Sequence, residues 1–265
     1  MHVVKSYPDG IFNWVDLSTT DAEGAKAFYT ALFGWEAADI PIGDSGDTYI
    51  MFRLNGYNVA GGGAMQPEMQ AQGIPTNWAS YVKHDNVDAI AEKVTAAGGM
   101  IILPPMDVME EGRMIMGLDP TGASFGAWQP LNHIGAQIVN VPNALVWNEL
   151  QTRDPAAARA FYGSVFGWDY ATDDNGYVMC QVNGRTQAGI MAIDENWGDV
   201  PNNWAVYFMT DDLDAKVAKV GELGGNIIVP ITSAGEMGKF AVVQDPQGGI
   251  FTIMQFSGPG DTPPG

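Results

Sequence analysis

Two tryptophans, Trp14 and Trp147, each stand two residues before a carboxylate, Asp16 and Glu149, in FNWVDLSTTD and LVWNELQTRD. If both segments are strands, the period-2 alternation puts each Trp and its carboxylate on one face of a sheet. Such a pair can do two kinds of chemistry. The indole can stack on an aromatic or cationic ligand, and a carboxylate desolvated beside it holds its proton nearer neutrality, as a general acid or base requires. The competing reading is packing. A Trp buries on the order of 200 Å², which approaches ~5 kcal/mol at about 25 cal/mol per Å². In a packed core, however, Asp16 and Glu149 need partners, because an unpaired buried carboxylate is costly; Arg53, Arg113, Arg153 and Arg185 are the cations considered for that role.

The elements that carry these residues are duplicated. AKAFYTALFGWEA, from residue 25, returns as ARAFYGSVFGWDY 133 residues later (158 − 25), and LDPTGASFGAWQ returns as QDPQGGIFTIMQ displaced by 126 (245 − 119). The seven-residue difference is assigned to the Gly/Pro/Gln/Met-rich stretch between Gly61 and Trp78, where Gly61–Gly63, lacking any phosphate-loop context, reads as a flexible turn. Asp21 and Asp154 are N-cap residues of helices whose apolar positions recur at i, i+3, i+4 and i+7, and Gly34 and Gly167 stop them. Asp119-Pro-Thr-Gly122 and Asp245-Pro-Gln-Gly248 are turns. Each repeat thus contains two βαβββ units. The expected organisation is a first domain over 8–130, a linker over 131–143 that includes His133, a second domain over 144–256, and a frayed Gly/Pro-rich tail over 257–265.

Paired βαβββ units with FYxxLFGW after the first strand and DPxG before the last strand resemble the vicinal oxygen chelate superfamily of glyoxalase I, extradiol dioxygenases and bleomycin resistance proteins. The resemblance spans nearly the whole chain, twice. It implies an α+β fold with one curved, cup-shaped, eight-stranded sheet per repeat and helices outside, and, in the metal enzymes, three or four ligands pointing into the cup. Seven residues before Asp21 and Asp154, where such relatives carry His or Gln, this chain has Trp14 and Trp147. Seven before Asp85 and Asp211 it has Trp78 and Trp204, and seven after Asp119 and Asp245, where relatives carry Glu, it has Gly126 and Thr252. No metal and no other cofactor is therefore expected. On the same register the cup linings are Trp14, Trp78 and Trp128 in the first repeat, and Trp147, Trp204, Phe208, Thr252 and Met254 in the second, with Asp16 and Glu149 as the catalytic candidates.

Composition narrows the partners. Twelve Lys and Arg against 31 Asp and Glu give a net charge of −19, which repels nucleic acid and anionic membrane surfaces. No apolar run is long enough to span a bilayer and the first residues lack a signal-peptide core, so a cytoplasmic location is expected, and the lone Cys180 reads as a small core residue; the fused repeat supplies the pairing that single-repeat relatives obtain by dimerising, so a monomer is expected, with a homodimer as the alternative. His84, beside Asp85, reads as a surface or capping residue. The favoured function is metal-independent binding of a hydrophobic or aromatic small molecule, of the resistance or sequestration type. The alternatives are a metal-free enzyme using Glu149 or Asp16 as general acid or base, and a metal-dependent glyoxalase-like lyase or dioxygenase.

Overall fold

The computed structural model describes residues 2–43 and 46–257; the tail from 258 onward lies outside the described residues. The first repeat runs β1 (Phe12–Thr19), α1 (Ala22–Phe33), β2 (Glu36–Pro41), β3 (Thr48–Leu54), β4 (Tyr57–Ala64), α2 (Pro67–Ala71), β5 (Asn77–Lys83), α3 (Val87–Ala96), β6 (Met100–Val108), β7 (Gly112–Leu118) and β8 (Ser124–Pro130). The second runs β9 (Leu145–Thr152), α4 (Pro155–Phe166), β10 (Asp169–Thr172), β11 (Val178–Val182), β12 (Arg185–Ala192), β13 (Asn203–Met209), α5 (Leu213–Glu222), β14 (Asn226–Ser233), β15 (Gly238–Gln244) and β16 (Ile250–Phe256). Each repeat closes one eight-stranded sheet, ordered β2-β3-β4-β1-β5-β8-β7-β6 and β10-β11-β12-β9-β13-β16-β15-β14. The α+β architecture of two tandem curved sheets is thereby established.

The helix ends follow local chemistry. Asp21 accepts from the Gly24 amide and Asp154 from the Ala157 amide, each at 2.9 Å, and Gly34 and Gly167 close the helices in left-handed backbone at φ 69° and 72°. The caps of α3 and α5 are Asn86 and Asp212, one residue beyond Asp85 and Asp211. His84 Nδ1 accepts from the Asn86 amide at 3.0 Å, in the turn that leads into α3.

The length difference between the repeats is not where the sequence comparison put it. Gly61 pairs with Asp16 and Gly189 with Glu149, so these strands are displaced by 128 residues (189 − 61). Five of the seven residues (133 − 128) belong to the β2–β3 connection, and only two (128 − 126) lie between β4 and β5, where a short helix, α2, also forms. Gly61–Gly63 are therefore not a turn but the interior of β4.

The repeats interlock through their helix-bearing faces. Phe28 of α1 packs on Phe251 of β16, and Phe161 of α4 packs on Phe125 of β8, with ring centroids 6.3 and 5.7 Å apart. Tyr29 donates its hydroxyl to Asp245 at 2.7 Å, and Tyr162 donates to Asp119 at 3.1 Å. The same two aspartates use their other oxygen to hold their turns, accepting from the Ala123 and Gly249 amides at 3.0 and 2.7 Å. Ser80 adds a bond to Asn148 across the repeat boundary at 2.7 Å. Because α1 and α4 bury aromatic residues against the other repeat's sheet, the two repeats share a continuous core. Cys180 is buried and free, as its place in a strand suggests.

Candidate functional site

On β1 and β9 the alternation holds: Trp14 and Asp16 share one face, as do Trp147 and Glu149, and it is the face away from the helices. The antiparallel neighbours directly opposite Trp14 and Asp16 are Tyr81 and Ala79, and opposite Trp147 and Glu149 they are Tyr207 and Ala205. Gly126 and Thr252 pair with those tyrosines and belong to the same face, together with Trp128 and Met254 one pleat further along.

Trp78, Trp204 and Phe208 do not line the cups. Trp78 pairs with Leu17 and Trp204 with Leu150, on the helix side. There the Trp78 indole donates to Tyr29 at 3.1 Å and the Trp204 indole to Tyr162 at 2.8 Å, while Phe208 packs at 5.2 Å from both Trp78 and Phe33. The physical reason is the helix cap. Counting seven back from the true caps, Asn86 and Asp212, reaches Ala79 and Ala205, and a one-residue slip in a strand turns every side chain to the opposite face.

In place of those tryptophans each cup holds two tyrosines bound to its carboxylate. In the first, the Trp14 indole donates to the Tyr49 hydroxyl at 2.8 Å, Tyr49 donates to Asp16 at 3.2 Å, and Tyr81 donates to Asp16 at 3.3 Å. In the second, the Trp147 indole donates to Tyr177 at 3.0 Å, Tyr177 donates to Glu149 at 2.9 Å, and Tyr207 donates to Glu149 at 2.7 Å. Gln151 adds a long contact to Glu149 at 3.4 Å. Counting the two chains that join the repeats, the pattern Trp to Tyr to carboxylate occurs four times.

Three of the four arginines considered as partners are engaged elsewhere. Arg113 pairs with Asp88 and Asp107 at 2.8 Å, Arg53 donates to Asn58 at 3.1 Å, and Arg153 donates to backbone carbonyls of Gly198 and Val200. Phenols rather than cations satisfy the cup carboxylates. Burial therefore dominates the ionisation of Asp16 and pushes it up to about 6, against the opposing pull of Tyr49 and Tyr81. Glu149 is raised by burial in the same way, against Tyr207 and Tyr177. The phenols are themselves raised far above their ordinary value by burial and by the neighbouring carboxylate, so they remain donors at neutral pH.

His133 is the residue that sequence reasoning placed in the linker and the structure places in the first cup. Its ring meets Trp14 edge-on at 4.4 Å and lies 5.7 Å from Trp128, whose indole donates to the His133 carbonyl at 2.8 Å. Burial lowers the imidazole to about 4, leaving it neutral.

These donors do not suit the metal that this fold houses in some relatives. Each cup offers one carboxylate already accepting from two phenols, with indole or alanine at the positions where imidazole would stand, and among the described residues no group of three or more His, Cys, Asp or Glu is placed to hold an ion. Among the described residues no helix is long and apolar enough to cross a membrane.

The chain is similar to known proteins over nearly its whole length. The model of the Glyoxalase/Bleomycin resistance protein/Dioxygenase superfamily matches residues 11–126 and again 131–252. A protein of Mycobacterium tuberculosis named "Putative glyoxylase CFP32" is 41% identical over 255 residues, covering 95% of this chain and 97% of its own. The anthracycline biosynthesis protein DnrV of Streptomyces peucetius is 33% identical over 257 residues, covering 91% and 92%. Among solved structures, the Mn(II)-bound glyoxalase from Novosphingobium aromaticivorans superposes with a TM-score of 0.64 at 16% identity over 96% of this chain and 85% of that one. The 2,3-dioxygenase LapB from Pseudomonas sp. KL28 superposes at 0.65 and 13% identity over 96% and 95%. At those identities the likeness is one of fold.

Proposed function

The chain belongs to the Glyoxalase/Bleomycin resistance protein/Dioxygenase superfamily, and we propose that within it the protein binds a hydrophobic or aromatic small molecule in a Trp-lined cup without a metal. The observation that carries this reading is the Trp–Tyr–carboxylate–Tyr cluster, built twice from non-adjacent strands. Its indoles and phenols offer flat apolar surface, and the carboxylate supplies one acceptor or one negative charge to orient a guest. Methionines at facing positions, Met51, Met114 and Met116 in one cup and Met179 and Met254 in the other, add adaptable apolar wall. The names of the anthracycline biosynthesis relatives agree with a guest of this kind, anthracyclines being fused-ring aromatic molecules.

Quenching of Trp fluorescence in chelator-treated protein by a panel of neutral aromatic compounds tests the proposal. It predicts saturable quenching by at least one compound, and the absence of saturation across the panel would contradict it.

A second reading is acid–base catalysis on the bound molecule. It is supported by Asp16, which is partly accessible and ionises at about 6, so that it can donate a proton to a ligand atom and take one back near neutrality. In this reading Asp16→Asn or Glu149→Gln abolishes turnover while leaving binding in place; turnover unchanged in both variants removes these carboxylates from any mechanism.

A further inference from the structure

The two cups share their Trp–Tyr–carboxylate cluster and differ in what covers the Trp. Trp147 is partly exposed, whereas its counterpart Trp14 retains only 3% of its surface. The covering group is His133. It arrives from the loop after β8, which is tied down on both sides of the ring. The Leu131 and His133 amides donate to Glu111 at 3.0 Å, Asn13 donates its side-chain amide to Ile134 at 2.9 Å, and the Ala136 amide donates to Asn13 at 2.7 Å. Gly135 passes so close that a Cβ there would lie 2.3 Å from the Asn13 carbonyl, and its φ of 102° disfavours any side chain. A loop anchored at five points, counting the Trp128 indole bond to the His133 carbonyl, is a fixed part of the wall.

The imidazole is an aromatic ring set against two indoles, in contacts an aromatic guest would otherwise make. Its Nε2 is shielded from solvent and meets no hydrogen-bonding group among the described residues, so the ring is held there by packing rather than by polar contacts.

We infer that the repeats divide the work: His133 occupies the Trp wall of the first cup, and an aromatic guest stacks in the second cup, on Trp147, where the polar groups are the partly exposed Tyr177 hydroxyl and, buried behind it, the Glu149 carboxylate and the Tyr207 phenol. The inference rests on the Trp-cup reading above and specifies which cup it applies to. The class of guest is a planar aromatic of modest size carrying a hydroxyl or amine that can hydrogen-bond to these groups. Asp16 keeps its partial access, so the first cup retains a carboxylate without an open stacking surface.

Calorimetric titration with 2-naphthol, a planar aromatic with one donor hydroxyl, tests this on the full chain. The unaltered protein takes one naphthol, Trp147→Ala weakens it at least about tenfold, and His133→Ala raises the stoichiometry from one to two by opening the first cup. His133→Phe keeps a ring in place and stays at one, which separates unplugging from loss of fold. Two sites in the unaltered protein, or a single site that persists in His133→Ala, would overturn the division of labour while leaving the Trp-cup reading intact. No saturable binding to the unaltered protein overturns that reading itself, and this inference with it.

Discussion

The Tyr49 hydroxyl lies where a side chain on Gly61 would begin: a Cβ built on Gly61 would stand 1.8 Å from it, and the same 1.8 Å separates a Cβ on Gly189 from the Tyr177 hydroxyl. Two glycines in strand interiors, where glycine is otherwise unfavourable, thus clear the path by which each cup's tyrosine crosses the sheet to its carboxylate. Gly61→Ala and Gly189→Ala force Tyr49 or Tyr177 off Asp16 or Glu149, at a cost of about 1–3 kcal/mol for overpacking. Urea denaturation measures this, and variants as stable as the parent would show that the tyrosines have room to spare.

The ionisation of Asp16 links cup and stability. Its folded pKa is raised from 3.8 to about 6, so its favourable contribution is fully present below pH 3.8 and is lost as pH rises through about 6. The full difference corresponds to at most about 3 kcal/mol, and partial solvent access reduces it. Asp16→Asn, which keeps an acceptor for Tyr49 and Tyr81 without the charge, therefore gains stability relative to the parent as pH goes from about 4 to about 7. A stability difference independent of pH across that window would contradict the raised value.

Between the repeats, Tyr29→Phe and Tyr162→Phe each remove a buried donor from Asp245 or Asp119 and an acceptor from Trp78 or Trp204. A buried group left unsatisfied costs about 1–3 kcal/mol, and the loss falls on the whole molecule because each bond joins both repeats. A single cooperative unfolding transition, shifted to lower denaturant in both variants, is the expected outcome. Separate transitions for the two repeats would argue against one folding unit.

The parts of the site written in local periodicity were legible in the sequence. Trp14 with Asp16, and Trp147 with Glu149, follow from alternation within one strand, and Asp21 and Asp154 from cap chemistry. What was not legible depends on placing one element against another. Tyr81 and Tyr207 were masked by a cap one residue later than Asp85 and Asp211, which exchanged the two faces of β5 and β13. Tyr49 and Tyr177 were masked by a five-residue difference in a hairpin, and only the matching Tyr and Gly of both repeats, 128 residues apart, could have aligned them. His133 reaches the first cup from outside the βαβββ pattern, so no periodicity marks it. Asp119 and Asp245 read as turn residues, which they are, but their bonds to Tyr162 and Tyr29 require the other repeat.

The most direct test of the central claim, binding in a Trp-lined cup without a metal, is equilibrium titration of chelator-treated, metal-analysed protein with an aromatic compound that quenches its Trp fluorescence, repeated after adding Mn, Fe, Ni or Zn. The claim predicts saturable quenching in metal-free protein, with an affinity unchanged by any of the ions and weakened at least about tenfold in Trp147→Ala. Binding that appears only when one stoichiometric metal is restored would contradict it.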